Sequence, residues 1–190
     1  MSFHEQNIKK QKIIIIGDYM DFSKYKRILL IGCPGSGKST LAKRIGKVTS
    51  LPVIHLDTIY WLPNWERRSI EEFDELLLNE LNKETWVIDG NYNRTLDLRV
   101  SYCDLIIYLD IPRRVCLASI IKRRIKYRNK SREDMQKDCK EVIDYSFISY
   151  VYNFNKTHKE RYYNLLKETD KDYLIIKRRK DIDKLFEKDL

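Results

Sequence analysis

The sequence predicts an α/β protein built on a five-stranded parallel sheet with helices on both faces. Three observations lead there. Short apolar runs alternate with longer amphipathic stretches along the chain. The runs are apolar almost throughout, as strands buried on both faces are. The first of them ends in a glycine-rich loop that opens a helix.

Each element follows in order. Arg27–Ile31 (RILLI) reads as the first strand and Lys38–Val48 as the helix after the loop. Val53–Asp57 (VIHLD), after Pro52, is the second strand. Ser69-Ile70-Glu71-Glu72 has the S-x-x-E form of a capping box, and Ile70, Phe73, Leu77 and Leu81 follow at helical spacing. Thr85–Gly90 (TWVIDG), rich in β-branched and aromatic residues, is a third strand stopped by glycine. Asp104–Pro112 (DLIIYLDIP) is the fourth, and Pro112 suits the first turn of a helix running to about Asn129. Ser131 and Asp134 suggest a cap that opens a long helical region to about Lys167. Asp172–Lys177 (DYLIIK) is the fifth strand and Ile182–Lys188 a closing helix.

Strands joined by helices make right-handed crossovers, and ligands of such sheets bind at the carboxyl ends of the strands. That rule puts Gly32–Ser39, Asp57, Asp89-Gly90 and Asp110 on the rim of a site. Residues 1–25 fit no βαβ unit. They hold one possible strand, Ile13–Ile16, and stand apart as an extension: an edge strand, an ordered leader or a loose tail. Residues 26–190 form the domain, with a lid region at about 113–135.

Length and composition bound the function. The chain has 190 residues, 43% hydrophobic and 34% charged, which suits one domain with an ordinary core. Its apolar runs are far shorter than the roughly 20 residues of a membrane span. The start, MSFHEQNIKKQK, is too polar for a secretory signal. Four cysteines, Cys33, Cys103, Cys116 and Cys139, are widely spaced and form no C-x-x-C pair, so reduced thiols are expected. Together these features predict a soluble cytoplasmic protein. The net charge of +9 attracts phosphates, whether on nucleotides or on nucleic acid.

The loop carries the chemistry. Gly32-Cys33-Pro34-Gly35-Ser36-Gly37-Lys38-Ser39 matches G-x-x-x-x-G-K-[ST], placed between a strand and a helix as the P-loop requires. The glycines let successive N–H groups point inward at a phosphate, and the helix N-terminus adds its field. Gly32, Pro34, Gly35, Ser36, Gly37, Lys38, Ser39 and Thr40 are the expected triphosphate-binding set. Lys38 reaches the β- and γ-phosphates, and Ser39 ligates Mg²⁺. Asp89, ending the third strand, is the second candidate for the metal, through water; a turn aspartate before Gly90 is the plainer reading. The guanine-reading N-K-x-D of switch GTPases does not occur, and the chain is short for an extended ATPase core. Small P-loop kinases remain.

Other candidates lie around the loop. Asp57 is placed to orient, or take a proton from, an acceptor hydroxyl, or else to cap the next helix. Arg94 is a forked donor for an acceptor phosphate or carboxylate, or a solvated side chain. Arg113–Lys130 carries five arginines and three lysines. It reads as a lid clamping transition-state charge, as a track for a nucleic-acid backbone, or as a solvated helix face. Arg124 and Arg128, at i and i+4, are the pair expected to converge on one ligand. Tyr60–Trp65 (YWLPNW) offers either stacking for a planar ligand or the apolar base of a flap. Tyr145–Tyr163 reads as packing. His55 and His158 have no visible constellation, and Asp110 stays outside the site as a helix cap.

The segments ILLIGCPGSGKSTLA, VIHLDTIYWLPNW, WVIDGNYNRTLDLR and DLIIYLDIPRRVCLASIIKRRIKYR together resemble the adenylate-kinase-like P-loop family labelled DNA topology modulation proteins. The resemblance runs from about Arg27 to the C-terminus. HLDTIYW and DGNYNRT carry its specificity. It implies a three-layer P-loop NTPase fold with strand order 2-3-1-4-5, a lid between the fourth and fifth strands, and ATP as donor. Where related nucleotide kinases have D-G-F-P-R, this chain has Asp89-Gly90-Asn91-Tyr92-Asn93-Arg94, with the Phe-Pro replaced and the arginine one place later. The family label also implies an effect on DNA topology.

The expected function is an ATP- and Mg²⁺-dependent phosphotransferase of the nucleotide or small-molecule kinase type, its acceptor unidentified. A nucleotide-dependent regulator that binds nucleic acid through Arg113–Lys130 is the alternative. A nucleotide-binding protein without turnover is a third reading.

Overall fold

Ile28, Leu29, Leu30 and Ile31 are shielded from solvent on both sides, and the strand they form is the middle of the sheet. The structure, a computed structural model, describes residues 20–128, 134–136, 138–140 and 144–187. In chain order the elements are β1 (Arg27–Gly32), α1 (Lys38–Thr49), β2 (Val53–His55), α2 (Leu56–Tyr60), β3 (Trp61–Leu62), β4 (Glu66–Arg67) and α3 (Ile70–Leu81). Then come β5 (Trp86–Asp89), α4 (Leu96–Tyr102), β6 (Leu105–Leu109), α5 (Arg113–Lys126), α6 (Tyr145–Glu168), β7 (Asp172–Ile176) and α7 (Lys180–Lys184).

Five strands pair in parallel in the order β2-β5-β1-β6-β7. Counting sheet strands alone, this is the expected 2-3-1-4-5. The register sets His55 opposite Asp89, and Gly32 opposite Leu109. All five carboxyl ends therefore meet at one edge, where loops gather functional groups. Among the described residues, no helix is long and apolar enough to cross a membrane. The four cysteines are free and buried.

Several boundaries differ from expectation for local reasons. The second strand stops at His55, because Leu56–Tyr60 winds into a helix. Asp57 thus lies in the first turn of α2 and not at a strand end, a place where exposed amides favour an acid. The helix expected to run from Ser131 to Lys167 starts at Tyr145. Its cap is Asp144, whose carboxylate accepts a hydrogen bond from the Phe147 amide at 2.7 Å. Ser131 lies outside the described residues, and Asp134 sits in a turn. The helix after β6 ends at Lys126, short of Asn129.

Residues ahead of the boundary expected at residue 25 contact the domain. Met20 and Phe22 are buried, the Met20 amide donates to the Leu185 carbonyl, and the Phe22 ring lies 5.5 Å from Phe186. Tyr25 donates its hydroxyl hydrogen to Asp172 at 2.8 Å. Met20 and Phe22 therefore pack into the domain core, and Tyr25 is tied to β7; Ile13–Ile16 lies outside the described residues. Of the lid expected at 113–135, residues 113–126 form the continuous helix α5, and 129–133 lie outside the described residues.

Candidate active site

The phosphate loop leaves β1 at Gly32 and enters α1 at Lys38. Gly35 has a φ of +78°, and a Cβ there would lie 2.6 Å from the Cys116 carbonyl oxygen of α5. Only glycine allows both the left-handed turn and this close approach. The Arg179 guanidinium, just ahead of α7, donates to the Gly35 carbonyl from the other side.

Lys38 is buried under the loop. Its Nζ donates to the Gly32 carbonyl at 2.7 Å and to the Cys33 carbonyl at 3.1 Å. Burial pulls its pKa below that of an ordinary lysine, against the opposing charge of Asp89. The Ser36 hydroxyl is also buried and, among the described residues, makes no hydrogen bond within the protein. An unpartnered buried hydroxyl is costly unless a ligand satisfies it. Together with the loop amides and the Lys38 ammonium, it fits a chain of phosphate oxygens.

Ser39 Oγ donates to Asp89 Oδ2 at 2.7 Å, bringing the two expected metal groups together. A hydroxyl and a carboxylate fit Mg²⁺, which takes one or two protein oxygens and completes its octahedron with phosphates and water. The other oxygen of Asp89, Oδ1, lies 2.5 Å from His55 Nδ1. Burial opposes protonation of His55, but the hydrogen bond and charge of Asp89 outweigh it and raise the pKa. Sequence reasoning passed over His55; the signal was its place at the end of β2, opposite the end of β5.

Asp57 faces the same cavity, with Tyr92 donating its hydroxyl hydrogen to Oδ1 at 2.7 Å. Burial, and then the charge of Asp57, hold the Tyr92 phenol far above its ordinary range. Tyr150 of α6 is pushed up to about 12 by burial, with the charges of Cys33 and Asp57 adding to it. The segment carrying Tyr92 is held by Arg99, a fully buried side chain on α4. Its guanidinium donates to the carbonyls of Gly90 (2.9 Å), Tyr92 (2.7 Å) and Thr95 (3.3 Å). Burial lowers the pKa of Arg99 to about 10, so it stays charged at neutral pH. Asn91 accepts from the Gly32 amide at 3.2 Å, tying that segment to the phosphate loop.

The phosphate loop, Asp57, Asp89, Tyr92 and Tyr150 line one cavity of about 1590 Å³. Pro34, Gly35, Ser36, Gly37, Lys38, Ser39 and Thr40 form its floor, with Asp57 and Asp89 beside them. The basic run enters through Ser119, Lys122, Arg123 and Lys126 of α5. Arg124 and Arg128, the expected pair, do not line it. Because α5 ends at Lys126, Arg128 is not one helical turn beyond Arg124. Arg94 does not line it either. Its two terminal nitrogens hold both carboxylate oxygens of Asp74, at 2.8 and 2.5 Å, and keep that carboxyl below its usual range. Asp110 is buried against Tyr163 and Lys159, each 2.9 Å away. His158 stacks on Phe154, and burial lowers its pKa.

The segment after Asp57 makes a small antiparallel hairpin, Trp61 pairing with Arg67 and Leu62 with Glu66. Two-residue strands carry too little pattern to be read in a sequence. Trp61, Trp65 and Arg67 bring this hairpin into the cavity wall.

No protein-family model matches the chain. The shikimate kinase of Clostridium botulinum strain Loch Maree / Type A3 is 24% identical over 151 residues, 70% of this chain and 85% of that protein. The shikimate kinase of Clostridium botulinum strain 657 / Type Ba4 matches to the same extent. Among solved structures, shikimate kinase from Acinetobacter baumannii in complex with shikimate aligns with a TM-score of 0.57 at 16% identity, covering 86% of this chain and 90% of that one. None of these relatives carries the DNA topology modulation label. The fold, the phosphate loop and these relatives support an adenylate-kinase-like P-loop kinase, a phosphotransferase.

Proposed function

We propose that the protein transfers the γ-phosphoryl group of ATP, with Mg²⁺, to a hydroxyl of a small molecule. One observation carries the reading: Lys38, the Ser39–Asp89 pair and Asp57 open into a single cavity. The first three are what a triphosphate and its metal need, and the last is a carboxylate on the acceptor side.

Each residue then has a role. The loop amides and the Ser36 hydroxyl hold the phosphates in place, and Lys38 exchanges its carbonyl partners for phosphate oxygens. Ser39 and Asp89 would hold the metal, which when bound would supply positive charge to offset what develops on the transferring group. Lys122, Arg123 and Lys126 bring further positive charge to the cavity from α5. Asp57 orients the acceptor hydroxyl and takes its proton as the new P–O bond forms. Positioning and charge stabilisation supply most of what phosphoryl transfer needs. Shikimate enters as one candidate acceptor, from the names of the relatives.

The test is transfer from γ-labelled ATP across a panel of nucleosides, nucleotides, shikimate and simple alcohols. A labelled product that vanishes in Lys38→Ala, checked to be folded, supports the kinase. Slow phosphate release that no acceptor changes would overturn it.

A further inference from the structure

The cavity has two unlike ends. Its cations come mainly from α1, α5 and the start of α7, where Arg44, Lys122, Arg123, Lys126 and Arg179 line the same cavity as the phosphate loop. The end beyond Asp57 is built from rings. Tyr92 lies 4.7 Å from Tyr60, Tyr60 lies 5.0 Å from Trp61, and Trp61 lies 5.3 Å from Trp65. This unbroken chain of aromatic contacts runs from the Asp57 carboxylate to the tip of the β3–β4 hairpin. Tyr92 donates to Asp57, and Tyr150 of α6 lines the same cavity.

Among the described residues, positive charge at this end is sparse. Among the described residues lining the cavity, Arg67 is the cation that the hairpin contributes, and its guanidinium lies over the Trp61 ring, 6.0 Å from the centroid. Arg94, the natural fork for an acceptor phosphate or carboxylate, is held by Asp74 and does not line the cavity. Asp57 itself repels an anion brought close to it. A wall of this kind recognises a flat ring by stacking and edge contacts. It does not offset the cost of desolvating a second anion.

We infer that the acceptor is a nucleoside-like alcohol: a planar heteroaromatic ring carrying a hydroxyl, and neither a phosphate nor a carboxylate. The ring lies against Trp61 and Trp65, and the hydroxyl points to Asp57. In the transfer, the hydroxyl oxygen bonds to the γ-phosphorus, the bond from that phosphorus to the β–γ bridging oxygen breaks, ADP leaves, and the hydroxyl proton passes to Asp57. This inference rests on the kinase reading, and its test separates the two.

Tryptophan fluorescence is followed while thymidine, cytidine, thymidine monophosphate or shikimate is added to the full chain, its donor site filled with a non-hydrolysable ATP analogue and Mg²⁺. The nucleosides should quench saturably and bind at least tenfold tighter than the monophosphate or shikimate. Trp61→Ala should weaken nucleoside binding at least tenfold and leave affinity for the ATP analogue unchanged. Trp61→Phe, which keeps a ring and guards against misfolding, should restore most of it. Shikimate or the monophosphate binding tighter, or no saturable quenching by either nucleoside, would overturn the inference. Nucleoside binding without phosphoryl transfer from ATP would leave the acceptor preference standing and remove the kinase.

Discussion

His55 Nδ1 lies 2.5 Å from Asp89 Oδ1, while the other oxygen of that carboxylate takes the Ser39 hydroxyl hydrogen. Asp89 is thereby held from both sides, and in the proposed kinase His55 would act through it. Groups that orient a metal-holding carboxylate typically change metal affinity about 10–100-fold when removed. His55→Ala should therefore raise the Mg²⁺ concentration needed for half-maximal ATP binding by about tenfold. His55→Asn, which keeps a donor near Asp89, should recover part of the loss. Titration calorimetry of ATP with varied Mg²⁺ measures both. An unchanged Mg²⁺ requirement in both variants would reduce the pair to a structural contact.

Lys38 separates function from stability. Lys38→Met removes the ammonium from the phosphate cradle, and losing one such stabilising group costs about 10²–10³ in turnover. The fold loses two hydrogen bonds to loop carbonyls but also a desolvated charge. These terms oppose, so the net change should stay near about 1 kcal/mol, or about 2–4 °C in Tm for a chain this long. Thermal unfolding beside single-turnover transfer reads both quantities. A large fall in Tm would mean that Lys38 holds the loop together.

Arg99 should matter more to the fold than any cation lining the cavity. It is fully buried, and three carbonyls of the segment behind Asp57 depend on its fork. Arg99→Ala leaves buried acceptors without donors and opens a cavity, together costing about 3 kcal/mol or more. Arg99→Lys restores charge but not the fork, and should recover less than half of that. Urea unfolding gives the difference. A loss below about 1 kcal/mol would show that water replaces the guanidinium.

The sheet was legible in the sequence because its strands are buried on both faces and read as continuous apolar runs. Ile28–Ile31 and Leu105–Leu109 need no partner to be recognised. The loop was equally plain, since its glycines, Lys38 and Ser39 act within a few residues of one another. What escaped depends on pairing across the fold. His55 meets Asp89 only because β2 lies beside β5, and Arg94 meets Asp74 only because α3 presents it. Helical spacing pairs Arg124 with Arg128, but α5 stops between them. The composition of Arg113–Lys130 was visible; the face it turns to the cavity was not.

That face gives the last prediction. Arg123 lines the cavity and Arg124, its neighbour in sequence, does not. A lid that clamps charge uses the first, whereas a track for a nucleic-acid backbone would draw on both. Arg123→Ala should lower kcat by about 10²-fold, in the range for removal of one charge-stabilising donor, and Arg124→Ala by less than about threefold. Binding of a duplex DNA fragment should be weak near 150 mM salt and fall steeply as salt rises, since it would rest on charge alone. Equal losses of turnover in the two variants would mean that both arginines reach the phosphates. DNA binding that survives physiological salt and drops in both variants would return the basic helix to the nucleic-acid reading. The comparison uses adjacent residues of one type on one helix, so net charge and helix propensity cancel between them.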